Sequence, residues 1–240
     1  MTVEVCTDLP YGNAGEVSVL EREGRTEVHF TADPHGGPEC LWFCFRLVWP
    51  ETPESAGEEK AQTVQLVLEH VDNLLGGSQP QYMRPVIRHG GEPGATWQRL
   101  GEGQVSVRPD GQRCVAWEVS PSQGTSCPSF ADVAYCYPYG PPEFEALVRE
   151  SDGYWQAESI GLSQGGRSLL RLSNDYGQAD GRRPGLYLMA RQHSGETPGS
   201  WVLDGFLRHV AERGKAAPLI WAVPLTNLDG VLGGDYGKDN

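Results

Sequence analysis

Residues 185–213 constrain the fold most. Gly185-Leu-Tyr-Leu-Met-Ala190 is a short apolar run of strand character. Ser200-Trp-Val-Leu-Asp-Gly-Phe-Leu-Arg-His-Val-Ala-Glu-Arg213 places apolar residues at 202, 203, 206, 207 and 210, the spacing of a helix. Between them stand His193 and Glu196, divided by Ser-Gly and followed by Thr-Pro-Gly, a composition that fits neither a regular helix nor a regular strand. An imidazole and a carboxylate therefore sit on a loop at the carboxyl end of a strand. Open α/β sheets place their binding crevices there.

Two regimes run along the chain. Residues 1–130 read as short strands punctuated by turns: Glu16–Leu20 and Thr26–Thr31 about a Glu-Gly-Arg turn, then Cys40–Trp49, Thr63–Leu68 and Tyr82–Ile87. Val105–Arg108 and Arg113–Val119 face each other across Pro109-Asp-Gly111, a hairpin signal. The pattern predicts an all-β antiparallel sandwich over 1–135. Glu51–Lys60, acidic and rich in Pro, Ala and Gly, is expected as an exposed loop. After Tyr135 the pattern alternates: helix over 141–149, strands over 168–173 and 185–191, helix over 200–213, strand over 218–224. This predicts a mixed α/β portion over 136–240, with the boundary near 128–140.

A His and a Glu are two members of the three-ligand sets that hold catalytic zinc. By itself a His-x-x-Glu spacing is weak, but its flanks are informative. The run Ala190–Leu207 closely resembles the zinc-binding segment of metallocarboxypeptidases, in the cytosolic and bacterial branch with an extra amino-terminal β-domain. Tyr135-Cys-Tyr-Pro-Tyr-Gly140 resembles that branch's domain junction. Pro224-Leu-Thr-Asn-Leu-Asp-Gly-Val231 resembles the family's Asn-Pro-Asp-Gly motif, with Leu228 where proline is usual; Ser194 likewise replaces the commoner proline of the zinc loop. The resemblance covers roughly 130–240 and is strongest over 185–231.

The resemblance implies that His193 and Glu196 bind Zn²⁺ and that the whole protein hydrolyses a peptide or amide bond at a C-terminus. It also implies that the third ligand (a histidine), the general-base glutamate and the groups gripping the substrate carboxylate lie beyond Asn240. The chain is thus expected to be a fragment holding the first half of the catalytic domain, inactive alone and with no catalytic residue of its own. His209, between apolar positions 207 and 210, is expected to point to solvent rather than to serve as the missing ligand. A half-domain is expected to expose apolar surface, chiefly from 218–224 with Ile220 and Trp221, and so to self-associate or take a covering partner. The competing reading is a non-catalytic β-sandwich interaction module with a vestigial half-domain.

Two other motifs compete for attention. Gly161-Leu-Ser-Gln-Gly165 matches the nucleophile elbow of serine hydrolases, which would make Ser163 the nucleophile. An elbow must turn from strand into helix, whereas the following residues to Ser173 alternate like a strand. Gly161–Ser168 also mimics a phosphate-binding loop with Arg167 for lysine, again without a following helix. Both read as a hairpin turn.

The net charge of −13 disfavours nucleic acid and anionic membranes as partners. No run of 18 apolar residues is present, and the start lacks a basic and apolar leader, so a cytoplasmic setting is expected. Six cysteines at 6, 40, 44, 114, 127 and 136 form neither a dense disulfide pattern nor paired zinc doublets. Cys40 and Cys44 are expected to share one face of a strand as reduced core thiols.

Overall fold

The computed structural model describes residues 2–22, 24–37, 39–50, 63–74, 77, 79–90, 95–121, 129–176, 184–214 and 217–237. The acidic stretch 51–60 and Cys127 lie outside them. The chain divides into two compact units, Met1–Tyr137 and Pro138–Asn240. Among the described residues it is rich in sheet and poor in helix.

The first unit contains β1 (Glu4–Cys6), β2 (Gly15–Arg22), β3 (Arg25–Thr31), β4 (Cys44–Val48), β5 (Val64–Leu68), β6 (Val86–His89), β7 (Gln98–Arg99), β8 (Gln104–Val107), β9 (Arg113–Val119) and β10 (Phe130–Ala134). One sheet has the order β1-β4-β10-β6-β7, the other β2-β3-β5-β9-β8. Alternation along β3 turns Val28 and Phe30 into the core. The Phe30 ring meets Phe43 at 5.1 Å and Phe45 at 4.8 Å, both edge-on. Each such ring contributes roughly 1.5–3 kcal/mol by leaving water.

Three expectations are corrected here. The unit is not purely antiparallel, because β3 and β5 pair in parallel, Thr26 opposite Val64 through Phe30 opposite Leu68. A parallel pair needs a crossover, and β4, which lies in the other sheet, supplies it. Cys40 precedes β4 instead of lying on it, so it does not share a strand face with Cys44. Tyr82 belongs to a single 3₁₀ turn, Pro80–Tyr82, because Pro80 fixes a turn-forming φ. The 109–111 turn does join β8 to β9, with Val107 opposite Arg113 and Gly111 at φ 88°.

On the first sheet Asp132 is buried between two arginines. Arg46 Nε donates to its Oδ1 at 2.7 Å and Arg88 Nη2 to its Oδ2 at 2.9 Å. Burial first, and the nearby Asp132 charge second, push the Cys44 thiol up to about 12.

The second unit contains α1 (Pro141–Glu150), β11 (Gln156–Leu162), β12 (Ser168–Ser173), β13 (Gly185–Met189), α2 (Thr197–Arg213), β14 (Leu219–Val223) and α3 (Leu228–Gly233). The sheet order is β11-β12-β14-β13, with β13 and β14 parallel and α2 crossing between them. Leu203, Leu207 and Val210 form the buried stripe of α2, over a core that includes Leu147, Leu172 and Ile220. The helix starts at Thr197, three residues ahead of the apolar spacing, because Pro198 suits a first turn.

The strand 218–224 is not buried on both faces. Ile220 is fully buried but Trp221 is 43% exposed, with its indole N–H bonded to Asp175 at 2.7 Å. Among the described residues β14 is interior to the sheet, and β13 is one of its two edge strands, with Leu186, Tyr187 and Met189 exposed. A shallow groove of about 280 Å³ beside it is lined by Asp175, Gly185, Leu186, Tyr187, Leu219 and Trp221.

Candidate functional site

His193 and Glu196 lie on the loop between β13 and α2, with Glu196 at the N-cap of the helix. The His193 Nδ1 and Glu196 Oε1 atoms are 2.9 Å apart. The side chains are 33% and 53% exposed, so an ion can reach both from solvent. A tetrahedral zinc about 2.0–2.2 Å from each atom needs them roughly 3.4 Å apart, half an ångström from their present separation. The carboxylate also stands at the positive end of the α2 dipole. The pair therefore fits two positions of a zinc ligand set. Among the described residues, no group of three or more His, Cys, Asp or Glu could hold a metal ion.

The loop is fastened on several sides. The Ala190 amide donates to the Val223 carbonyl at 3.1 Å, and the amides of Thr226 and Asn227 return to the carbonyls of Ala190 and Arg191 at 3.1 and 2.9 Å. The segment after β14, with its Asn227-Leu-Asp-Gly230 turn, thus runs alongside the loop. Asn227 caps α3 by accepting from the Gly230 amide at 3.0 Å. The Ser194 hydroxyl donates to the Asp235 carbonyl at 2.9 Å, and the Gly195 amide to the Tyr236 carbonyl at 3.2 Å. A Cβ at Gly195 would come within 2.1 Å of the Tyr236 ring, so only glycine fits.

Beneath the loop lies Arg191, 4% exposed and at φ 62°. Its Nε donates to the Ser194 carbonyl at 2.8 Å, joined there by Nη2, and its Nη1 donates to the Tyr139 carbonyl at 2.6 Å. The Tyr139 hydroxyl donates to Asp204 of α2 at 2.9 Å. Asp204 also takes Arg208 at 2.5 Å, and Arg208 reaches Glu150 of α1 at 2.5 Å. Burial first, then the Asp204 charge, drive the Tyr139 phenol well above its ordinary value. Sequence reasoning missed Arg191 and Tyr139, whose partners are identified only by the folded path.

His209 lies on the exposed side of α2, 3.6 Å from Glu212. Ser163 sits in the turn between β11 and β12. Its hydroxyl donates to Asp229 at 2.9 Å and accepts from the Arg167 amide at 3.0 Å. Strand β12 follows in place of the helix that an elbow or a phosphate loop requires.

No family model matches the chain. Cytosolic carboxypeptidase 2 of Danio rerio is 28% identical over 167 residues, 60% of this chain and 22% of that protein. Cytosolic carboxypeptidase 6 of Mus musculus is 30% identical over 116 residues, 43% of this chain and 22% of that protein. The chain thus spans about a fifth of the length of these relatives. A solved metallo-carboxypeptidase from Burkholderia cenocepacia matches with a TM-score of 0.73 at 17% identity, over 98% of this chain and 59% of that one. One from Pseudomonas aeruginosa, in complex with (2-guanidinoethylmercapto)succinic acid, gives 0.70 at 20% identity, over 97% and 58%. At those identities the solved structures show the fold. The chain is thus similar in sequence to part of the cytosolic carboxypeptidases and shares the fold of bacterial metallo-carboxypeptidases.

Proposed function

We propose that this chain is part of a zinc-dependent carboxypeptidase, with His193 and Glu196 as two of the metal's ligands. The observation that carries the reading is the 2.9 Å convergence of an imidazole nitrogen and a carboxylate oxygen at the end of a strand of this fold. On this reading residues 1–135 form a β-sandwich module, and 136–240 form the first part of an α/β catalytic domain. The remaining ligand and the general base belong to sequence outside these residues. Zinc held at the pair supplies a Lewis acid for the scissile carbonyl. His193 contributes a nitrogen and Glu196 an oxygen, and the braced loop keeps both atoms turned to solvent. The substrate is a peptide or protein C-terminus, and the setting is the cytoplasm, as the names of the relatives suggest. No helix among the described residues is long and apolar enough to cross a membrane.

Calorimetric titration of zinc into the purified chain tests the reading. Two protein ligands are expected to bind one ion more weakly than a complete site. His193→Ala and Glu196→Gln are each expected to weaken binding at least tenfold, about 1.4 kcal/mol. Both side chains are partly exposed, so the melting temperature should barely move. Zinc binding unchanged in both variants would remove the proposal.

A second part of the reading concerns partners. The exposed apolar edge at β13, flanked by Trp221, suits further polypeptide, either more of a catalytic domain or another copy of the chain.

A further inference from the structure

Arg191 carries a fixed charge, yet it is almost wholly buried, and its backbone occupies the left-handed region at φ 62°. For a residue other than glycine such a conformation is strained and persists only when its surroundings enforce it. The guanidinium occupies the inside of its own loop. Two of its nitrogens donate to one oxygen, the carbonyl of Ser194, and the third donates to Tyr139. Ser194 is the residue directly after His193 and two before Glu196. Fixing its peptide plane fixes the turn across which the imidazole and the carboxylate meet. The anchors at Asp235, Tyr236 and 223–227 hold the loop from outside, whereas the Arg191 fork holds it from within.

We infer that Arg191 is the positioning residue of the His193–Glu196 pair, acting through the Ser194 carbonyl. The inference rests on the zinc reading for its meaning, though the geometry it describes exists without metal. The planar fork is the essential feature. A lysine keeps the charge and much of the stem but offers one compact ammonium, which cannot span both nitrogen positions on the Ser194 oxygen while reaching Tyr139.

The test uses the 240-residue chain, metal-free and zinc-titrated, as wild type and as Arg191→Lys. In the metal-free wild type at neutral imidazole, nitrogen-15 spectra should show His193 protonated at Nδ1, the atom facing Glu196. A through-hydrogen-bond coupling should join the Arg191 Nε to the Ser194 carbonyl carbon. In Arg191→Lys the Nδ1–H form should fall at least twofold and zinc affinity at least tenfold. The other histidines and the spectral dispersion should stay as they are, which a general loss of structure would not permit. A shift in the His193 form with no zinc binding even in wild type would sustain the positioning role while removing the zinc reading. If Arg191→Lys leaves both the His193 form and zinc affinity within twofold of wild type, the inference fails. It fails equally if affinity falls while the His193 form is unmoved. Should the variant not fold, the wild-type coupling decides, and its absence overturns the proposal.

Discussion

Asp229 accepts from the Gly165 amide at 2.7 Å, from the Ser163 hydroxyl at 2.9 Å and from Arg167 Nη1 at 2.5 Å. These donors, the Gly165 amide foremost, stabilise the charged carboxylate and hold its pKa below the ordinary value. Because the folded value is depressed, the anchorage is present above the usual carboxylate range and is lost as pH falls through and below it. The Gly165 amide proton is therefore expected to titrate with a midpoint below about 3.9, the ordinary aspartate value. A midpoint at or above it would show that the turn is not held this way. Ser163 was legible as a turn residue, since glycines 165 and 166 follow it and β12 alternates. Its bond to Asp229 was not legible, because the partners stand 66 residues apart and meet only once α3 is in place. The same holds for Arg191 and Tyr139, 52 residues apart.

At the scale of elements, α2 is the piece on which the candidate site depends. It crosses between β13 and β14, and its N-terminus begins directly after Glu196. Leu207 is fully buried on its inner stripe, and its carbonyl accepts the Trp155 indole N–H at 3.2 Å. Leu207→Ala is expected to destabilise the protein by about 2–5 kcal/mol through the cavity it leaves. Urea denaturation followed by tryptophan fluorescence measures this, and a loss under about 1 kcal/mol would mean that the site collapses freely. The period of α2 was clear in the sequence because 203, 207 and 210 recur at helical spacing. Strand β11 was missed for the opposite reason: Gln156–Leu162 is exposed throughout, so no buried face imposes an alternation. The short α3 was missed because six residues are too few to show a period.

At the scale of the whole molecule, the exposed apolar edge at β13 bears on association. Among the described residues the backbone of β13 pairs with β14 on one side only, and Leu186, Tyr187 and Met189 are exposed beside Trp221. Unpaired apolar edges favour strand addition from another chain. The purified chain is expected to self-associate with rising concentration, and Tyr187→Lys to shift it toward monomer. Sedimentation velocity decides the matter, with a wild type monomeric at all concentrations ruling out the edge as an association surface. The first unit faces a different constraint, set by the parallel pairing of β3 with β5 through a strand of the opposite sheet. β5 returns beside β3 only after the chain has passed through β4 of the other sheet, so the pairing of β3 with β5 is long-range. Long-range pairing of this kind slows folding, since the closure entropy comes before the contacts that offset it. A nascent chain halted before Val64 contains the strands of the β2–β3 hairpin and of the β1–β4 pair, with one flank of β3 open and Phe30 lacking the neighbours that β5 brings. The interval in which such a chain must be shielded from aggregation ends only when β5 has emerged and docked.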